Sequence, residues 1–259
     1  MKRFVRKVEV IPSPNIWYHA DAYELENHAQ DVDGEIWRAL AEAVSWRGRS
    51  VLDIGCGDGF HLARFAETAA SVVGVEPHPP LVRRAERRVA GCENVVVRKG
   101  TAQRMPLRDA SVDVVHARTA YFFGPGCEPG LSEADRVLKP GGTLVIVDLD
   151  ARHSPYGDWM REDLPHYDPD KVDEFFAAAG FSCRRVQTRW RFPDRAAMEA
   201  VLRIEFSPRV AERAVEETAR RNPGLLGPLE LPVGYRVLVR GKPTGLVHSS
   251  SAGASPRMP

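Results

Sequence analysis

Between Val51 and Gly59 the chain reads Val-Leu-Asp-Ile-Gly-Cys-Gly-Asp-Gly, an apolar run carrying a carboxylate at Asp53 and then glycines at every second position. A residue without a Cβ takes φ > 0 at little cost and lets backbone N–H groups come close to a ligand. Gly55, Gly57 and Gly59 therefore predict a strand, a ligand-cradling turn and a helix start over Phe60 to Ala66. Such a turn binds a nucleoside-like cofactor. A second carboxylate, Glu76, ends the apolar run Ser71 to Glu76 about 20 residues past the first glycine, the spacing of an acid that holds ribose hydroxyls. In a dinucleotide fingerprint the third glycine stands three residues after the second, and here that position is Phe60. That departure weighs against a dinucleotide.

Gly-x-Gly-x-Gly with Asp53 two residues ahead resembles the first motif of class I S-adenosylmethionine-dependent methyltransferases, and later segments resemble the same family in the same order. Val95 to Val97 reads as a third strand. Gly100 to Leu107 resembles the adenine-side loop, with Thr101 where the family usually carries an acid, so that backbone carbonyls are the other source of an adenine contact. Ser111 to His116 looks like the fourth strand. Arg136 to Val147 resembles a helix end, a turn at Pro140-Gly141 and a fifth strand. The resemblance covers roughly Ser50 to Asp150.

The resemblance implies S-adenosylmethionine as cofactor and a small molecule, methylated at oxygen, nitrogen or carbon and drawn from secondary metabolism, as acceptor. It assigns the cofactor to Asp53, Gly55, Cys56, Gly57, Gly59, Glu76, Pro77, Thr101, Ala102, Gln103 and Ala117, and an arm lying over it would bring Tyr18 and Tyr23 to the sulfonium. The loop after the fourth strand occupies the family's active-site position. Tyr121 and Phe122 then form the acceptor wall, and Arg118 either binds an acidic acceptor group or pairs with a neighbouring acid. Methyl transfer depends mostly on alignment of the reactants, and a base helps only when the acceptor must lose a proton. His19, His28, His116 and His166 are the candidates, with His116 at a strand end and His166 in the loop segment Arg161 to Asp168 ahead of the others. Two alternatives stay open, a dinucleotide-dependent oxidoreductase and a non-catalytic module that only binds S-adenosylmethionine.

Strands alternating with helical segments predict an α/β fold, and the resemblance makes it a Rossmann-like, seven-stranded, mostly parallel sheet with helices on both faces and the last strand antiparallel. Helical patterns cover Gly34 to Val44, Phe60 to Glu67, Pro80 to Val89, Pro129 to Leu138 and Lys171 to Ala179, and Phe181 to Arg191 and Pro232 to Val239 read as strands six and seven. The expected organisation is an arm and helix over residues 1–47, a methyltransferase domain over 48–240 with a substrate lid inserted at about 192–231, and a disordered tail over 241–259. The lid carries two helical candidates, Arg195 to Phe206 and Pro208 to Arg220.

In this chain of 259 residues, 36 basic against 35 acidic side chains give a net charge of +1, which provides no electrostatic reason to expect nucleic acid or membrane as partner. Cys56, Cys92, Cys127 and Cys183 are widely spaced, so neither a zinc site nor a disulfide framework is expected. No leader or transmembrane run is apparent, and a cytoplasmic monomer or homodimer without a metal is the expectation.

Overall fold

Seven strands, β1 Ser50–Ile54, β2 Ser71–Glu76, β3 Val95–Lys99, β4 Val112–Arg118, β5 Leu138–Leu149, β6 Ser182–Phe192 and β7 Leu229–Gly241, form one sheet in the order β3-β2-β1-β4-β5-β7-β6 in the computed structural model, which describes residues 10, 12–224 and 227–244. β1 to β5 pair in parallel, and β7 runs antiparallel between β5 and β6. The strand order reverses between β1 and β4, which opens a crevice beyond their carboxyl ends.

Among the described residues, ten helices accompany the strands: α1 Pro14–Tyr18, α2 Ala20–Ala29, α3 Glu35–Ala43, α4 Leu62–Ala66, α5 Pro79–Arg88, α6 Glu128–Val137, α7 Tyr156–Asp163, α8 Pro169–Ala178, α9 Arg195–Glu205 and α10 Pro208–Arg221. Asp168 and Asp194 start α8 and α9 by accepting backbone N–H bonds from the first turn, as capping aspartates do. Side chains alternate across each strand, so Val51 and Val114 face one apolar core with Ile36, Phe65 and Trp159. Leu52, Val115 and Ala117 face the other, with Leu131, Phe122 and Phe176.

Three expectations change. The arm folds into α1 and α2, and α7 takes up Arg161 to Asp163, where the sequence suggests a loop. Only eight residues long, α7 buries Tyr156, Gly157 and Trp159, too short a pattern to register as a period. Pro140-Gly141 is not a turn ahead of β5 but an irregularity inside it, where the partners of Val112 and Val114 jump from Leu138 to Thr143. Gly141 sits there at φ 78°, and a Cβ on Gly142 would meet the Asp113 carbonyl oxygen at 2.9 Å. Gly241 closes β7 and Lys242 bonds the backbone of Gly141 and Gly142, while the expected tail beyond Thr244 lies outside the described residues. Among the described residues, no helix is long and apolar enough to cross a membrane.

Candidate cofactor and acceptor site

The glycine turn is tied to the end of β2 by two bonds, in which Gly55 N and Cys56 N donate to the Val75 carbonyl at 2.8 and 3.2 Å. Gly57 holds φ 56°, and a Cβ there would meet the Ile16 side chain of α1 at 2.7 Å. Glu76 is 4% exposed, and its carboxylate accepts from Gly57 N at 3.2 Å and His78 N at 2.9 Å. Burial pushes the Glu76 carboxyl up to about 7, with the Asp53 charge adding to the rise and the two backbone donors opposing it.

A cavity of about 830 Å³ opens beyond the carboxyl ends of β1, β2 and β4, with residues of α1 and α2 on one wall. Asp53, Gly55, Cys56, Gly57, Glu76 and Pro77 line one side of it, and Thr101, Ala102 and Gln103 another. The Thr101 hydroxyl is buried without a protein partner, which leaves it free for a ligand. Tyr23, Arg118, Tyr121 and His166 complete the residues expected from sequence that meet there.

Seven others do not line it, among them His19 and His28, which are both exposed. Tyr18 is 68% exposed, and its neighbour Trp17 lines the cavity instead, stacked on His78 with ring centroids 4.2 Å apart. A Cβ on Gly59 would lie 3.0 Å from Ala85, so that glycine admits α5 rather than a ligand. Ala117 and Phe122 are core residues, and Phe123, half exposed, takes the wall position expected of Phe122. His116 points with Val114 toward α4, where it contacts Phe65 and Asp53 and is 1% exposed.

The loop after β4 shows why alternation misleads here. Thr119 and Tyr121 hold φ 44° and 61°, left-handed values that non-glycine residues rarely adopt and that concentrate at functional sites. These turns reset which side chains face inward.

His61 also lines the cavity and was not among the histidines singled out from sequence. Its position directly after the glycine turn was the available signal. Burial holds its pKa well below the ordinary histidine value, and the nearby Arg118 charge acts in the same direction, so it stands there as neutral imidazole. Among the described residues, no group of three or more His, Cys, Asp or Glu is arranged to hold a metal.

Residues 52–146 match the family model described as a methyltransferase domain. Over this stretch the chain is similar to class I methyltransferase domains. It is 29% identical over 178 residues to an arsenite methyltransferase of Halobacterium salinarum, a match covering 67% of this chain and 44% of that protein. It is 35% identical over 125 residues to an uncharacterized methyltransferase of Mycobacterium tuberculosis, covering 47% of this chain and 49% of the relative. The chain thus spans less than half the length of these two relatives. In fold it resembles a SAM-dependent methyltransferase from Aquifex aeolicus, with a TM-score of 0.52 and 19% identity over 84% of this chain and 98% of that one.

Proposed function

We propose that the domain binds S-adenosylmethionine in this cavity and transfers its methyl group to a small organic acceptor. The observation that carries this reading is the buried Glu76 carboxylate, held by Gly57 N and His78 N on the cavity wall beside the positive-φ glycine turn. That is a ribose clamp beside a cradle that side chains would fill. Glu76 would take the ribose hydroxyls, and Thr101 with its orphaned hydroxyl, Ala102 and Gln103 the adenine. Trp17 and Tyr23 offer aromatic faces to a cation, which attract it by about 0.5–2 kcal/mol. The cofactor supplies a methyl group on a positively charged sulfur.

The protein's own work is alignment and exclusion of water, which in a positioned pair of reactants supplies most of the acceleration. Tyr121 and Phe123 wall the acceptor side, and a cavity of about 830 Å³ has room for cofactor and acceptor together. Where the acceptor must lose a proton, the cavity offers His166 and neutral His61 as bases, whereas His116 is sequestered in the core. An arsenite-type acceptor would call on thiolates, since a soft centre prefers them. Cys56 and Cys127 line the cavity, but burial pushes both thiols up, Cys127 to about 11, which favours an organic acceptor.

Calorimetric titration of the purified chain with S-adenosylmethionine, S-adenosylhomocysteine and NADH tests the reading. Saturable binding of the first two alone is the expected result. Binding of NADH alone would replace it with the oxidoreductase.

A further inference from the structure

The carboxyl end of β4 presents a guanidinium whose hydrogen-bonding capacity is mostly unused. Arg118 is 7% exposed and lines the cavity, yet its Nε and Nη1 have no partner in the protein. Its Nη2 donates to Gln30 Oε1 at 2.7 Å, and its Cζ lies 5.6 Å from the centre of the Tyr235 ring. Among the described residues no carboxylate lies within ion-pair distance of it.

The acids beyond Gln30, Glu26 and Glu205, make their hydrogen bonds elsewhere, with Glu26 Oε2 alone among their oxygens buried without a partner. Gln30 turns its amide to Glu26 Oε1 at 2.7 Å, and behind it Glu205 accepts from Asn15 and from the Tyr156 hydroxyl. Burial and mutual repulsion push the Glu26 carboxyl well up, and burial likewise raises that of Glu205. Gln30, a neutral acceptor, thus stands between the guanidinium and the acid pair and fixes one edge of the planar fork. Nε and Nη1 point to opposite sides of the plane's long axis and are both left bare, and each forms a two-donor edge only together with Nη2. A guanidinium is always charged, and leaving two of its donors unsatisfied in a buried position is unfavourable unless something else supplies acceptors.

We infer that Arg118, oriented by Gln30, is an anion subsite of the cavity that takes a carboxylate on the two-donor edge that Gln30 leaves open. The inference rests on the cofactor reading above and deepens it. A carboxylate has two sources there, the methionyl end of the cofactor or the acceptor itself, and both have the planar geometry that a guanidinium fork matches.

The test uses the full chain as wild type, Arg118→Gln and Arg118→Lys, titrated with S-adenosylhomocysteine and with 5′-methylthioadenosine, which lacks the amino-acid end. The chain saturated with S-adenosylhomocysteine is then titrated with benzoate and with benzamide. If the cofactor's carboxylate occupies the subsite, R118Q weakens S-adenosylhomocysteine about 10- to 100-fold and leaves methylthioadenosine unchanged. If the acceptor's does, S-adenosylhomocysteine is unaffected, wild type prefers benzoate to benzamide, and R118Q removes that preference. R118K, charged but without the fork, falls between wild type and R118Q in either case. Loss of both nucleosides alike in R118Q, or no dependence of any probe on residue 118, overturns the subsite.

Thermal melting separates binding from a structural role. Because the guanidinium is under-satisfied without ligand, ligand-free R118Q should melt no lower than wild type, and a clear loss of stability would count against the inference. Failure of wild type to bind either nucleoside would instead bring down the cofactor reading, and the subsite with it.

Discussion

Asp53 and His116 stand opposite each other in the β1–β4 register, and His116 Nδ1 lies 2.7 Å from Asp53 Oδ1 with both side chains buried. The pair couples the strand beneath the glycine turn to the strand beneath the acceptor loop. Asp53→Ala strips this partner from a buried ring and is expected to cost about 1–3 kcal/mol. Denaturant unfolding should show it as a lower midpoint at unchanged slope. His116→Asn should also lower stability while leaving cofactor affinity nearly unchanged, because the ring does not line the cavity.

Cofactor binding should depend on pH through Glu76. Its carboxyl titrates at about 7, above its ordinary value, so at lower pH it is protonated before binding. Ribose hydroxyls that donate to it favour the ionised form, hence binding below pH about 7 should release a proton and affinity should rise with pH until it levels off above that point. The same shift acts on stability in the opposite direction. The folded state holds this proton more tightly than the unfolded chain, so the ligand-free protein loses stability as pH rises from the ordinary glutamate value to about 7. Titrations in buffers of different ionisation enthalpy measure the proton released, and Glu76→Ala should abolish it while weakening affinity by about 1–3 kcal/mol.

Gly57→Val imposes a β-branched side chain at φ 56° and aims its Cβ at Ile16, 2.7 Å away. The expected cost is about 1–3 kcal/mol of backbone strain, together with a displaced α1 and weaker nucleoside binding. Melting temperature and calorimetry on the same sample read both effects, and unchanged affinity would contradict the placement of the cofactor over this turn.

A second buried pair does not itself line the cavity but touches its wall through the Tyr167 hydroxyl. Arg236 Nη2 donates to Asp148 Oδ2 at 2.5 Å, and Nη1 reaches Asp173 Oδ1 at 3.2 Å. Arg236→Met strips the buried Asp148 carboxyl, which burial already raises, of the cation that opposes that rise, and should cost about 3–5 kcal/mol. Adding Asp148→Leu should recover a large part of that loss, and urea unfolding of the single and double variants provides the cycle.

The features legible in sequence were those governed by local backbone chemistry and by spacing along the chain. The glycine turn, the acid closing β2 and the apolar runs of β1 and β4 are each set by residues within a few positions of one another, so Gly55, Gly57 and Glu76 could be anticipated from Val51 onward, while the seven-stranded sheet came only with the family resemblance and its strand order only with the structure. Side-chain direction was decided by the tertiary structure. Whether His116 or its neighbour faces the cavity depends on the phase of β4 against β1, and the left-handed turns at Thr119 and Tyr121 then exchange the roles of Phe122 and Phe123. A single position separates Trp17 from Tyr18, yet packing against His78 selects the first. The Gln30–Arg118 bond joins residues 88 positions apart. No local preference encodes that meeting, because it forms only when α2 of the arm settles beside the carboxyl end of β4.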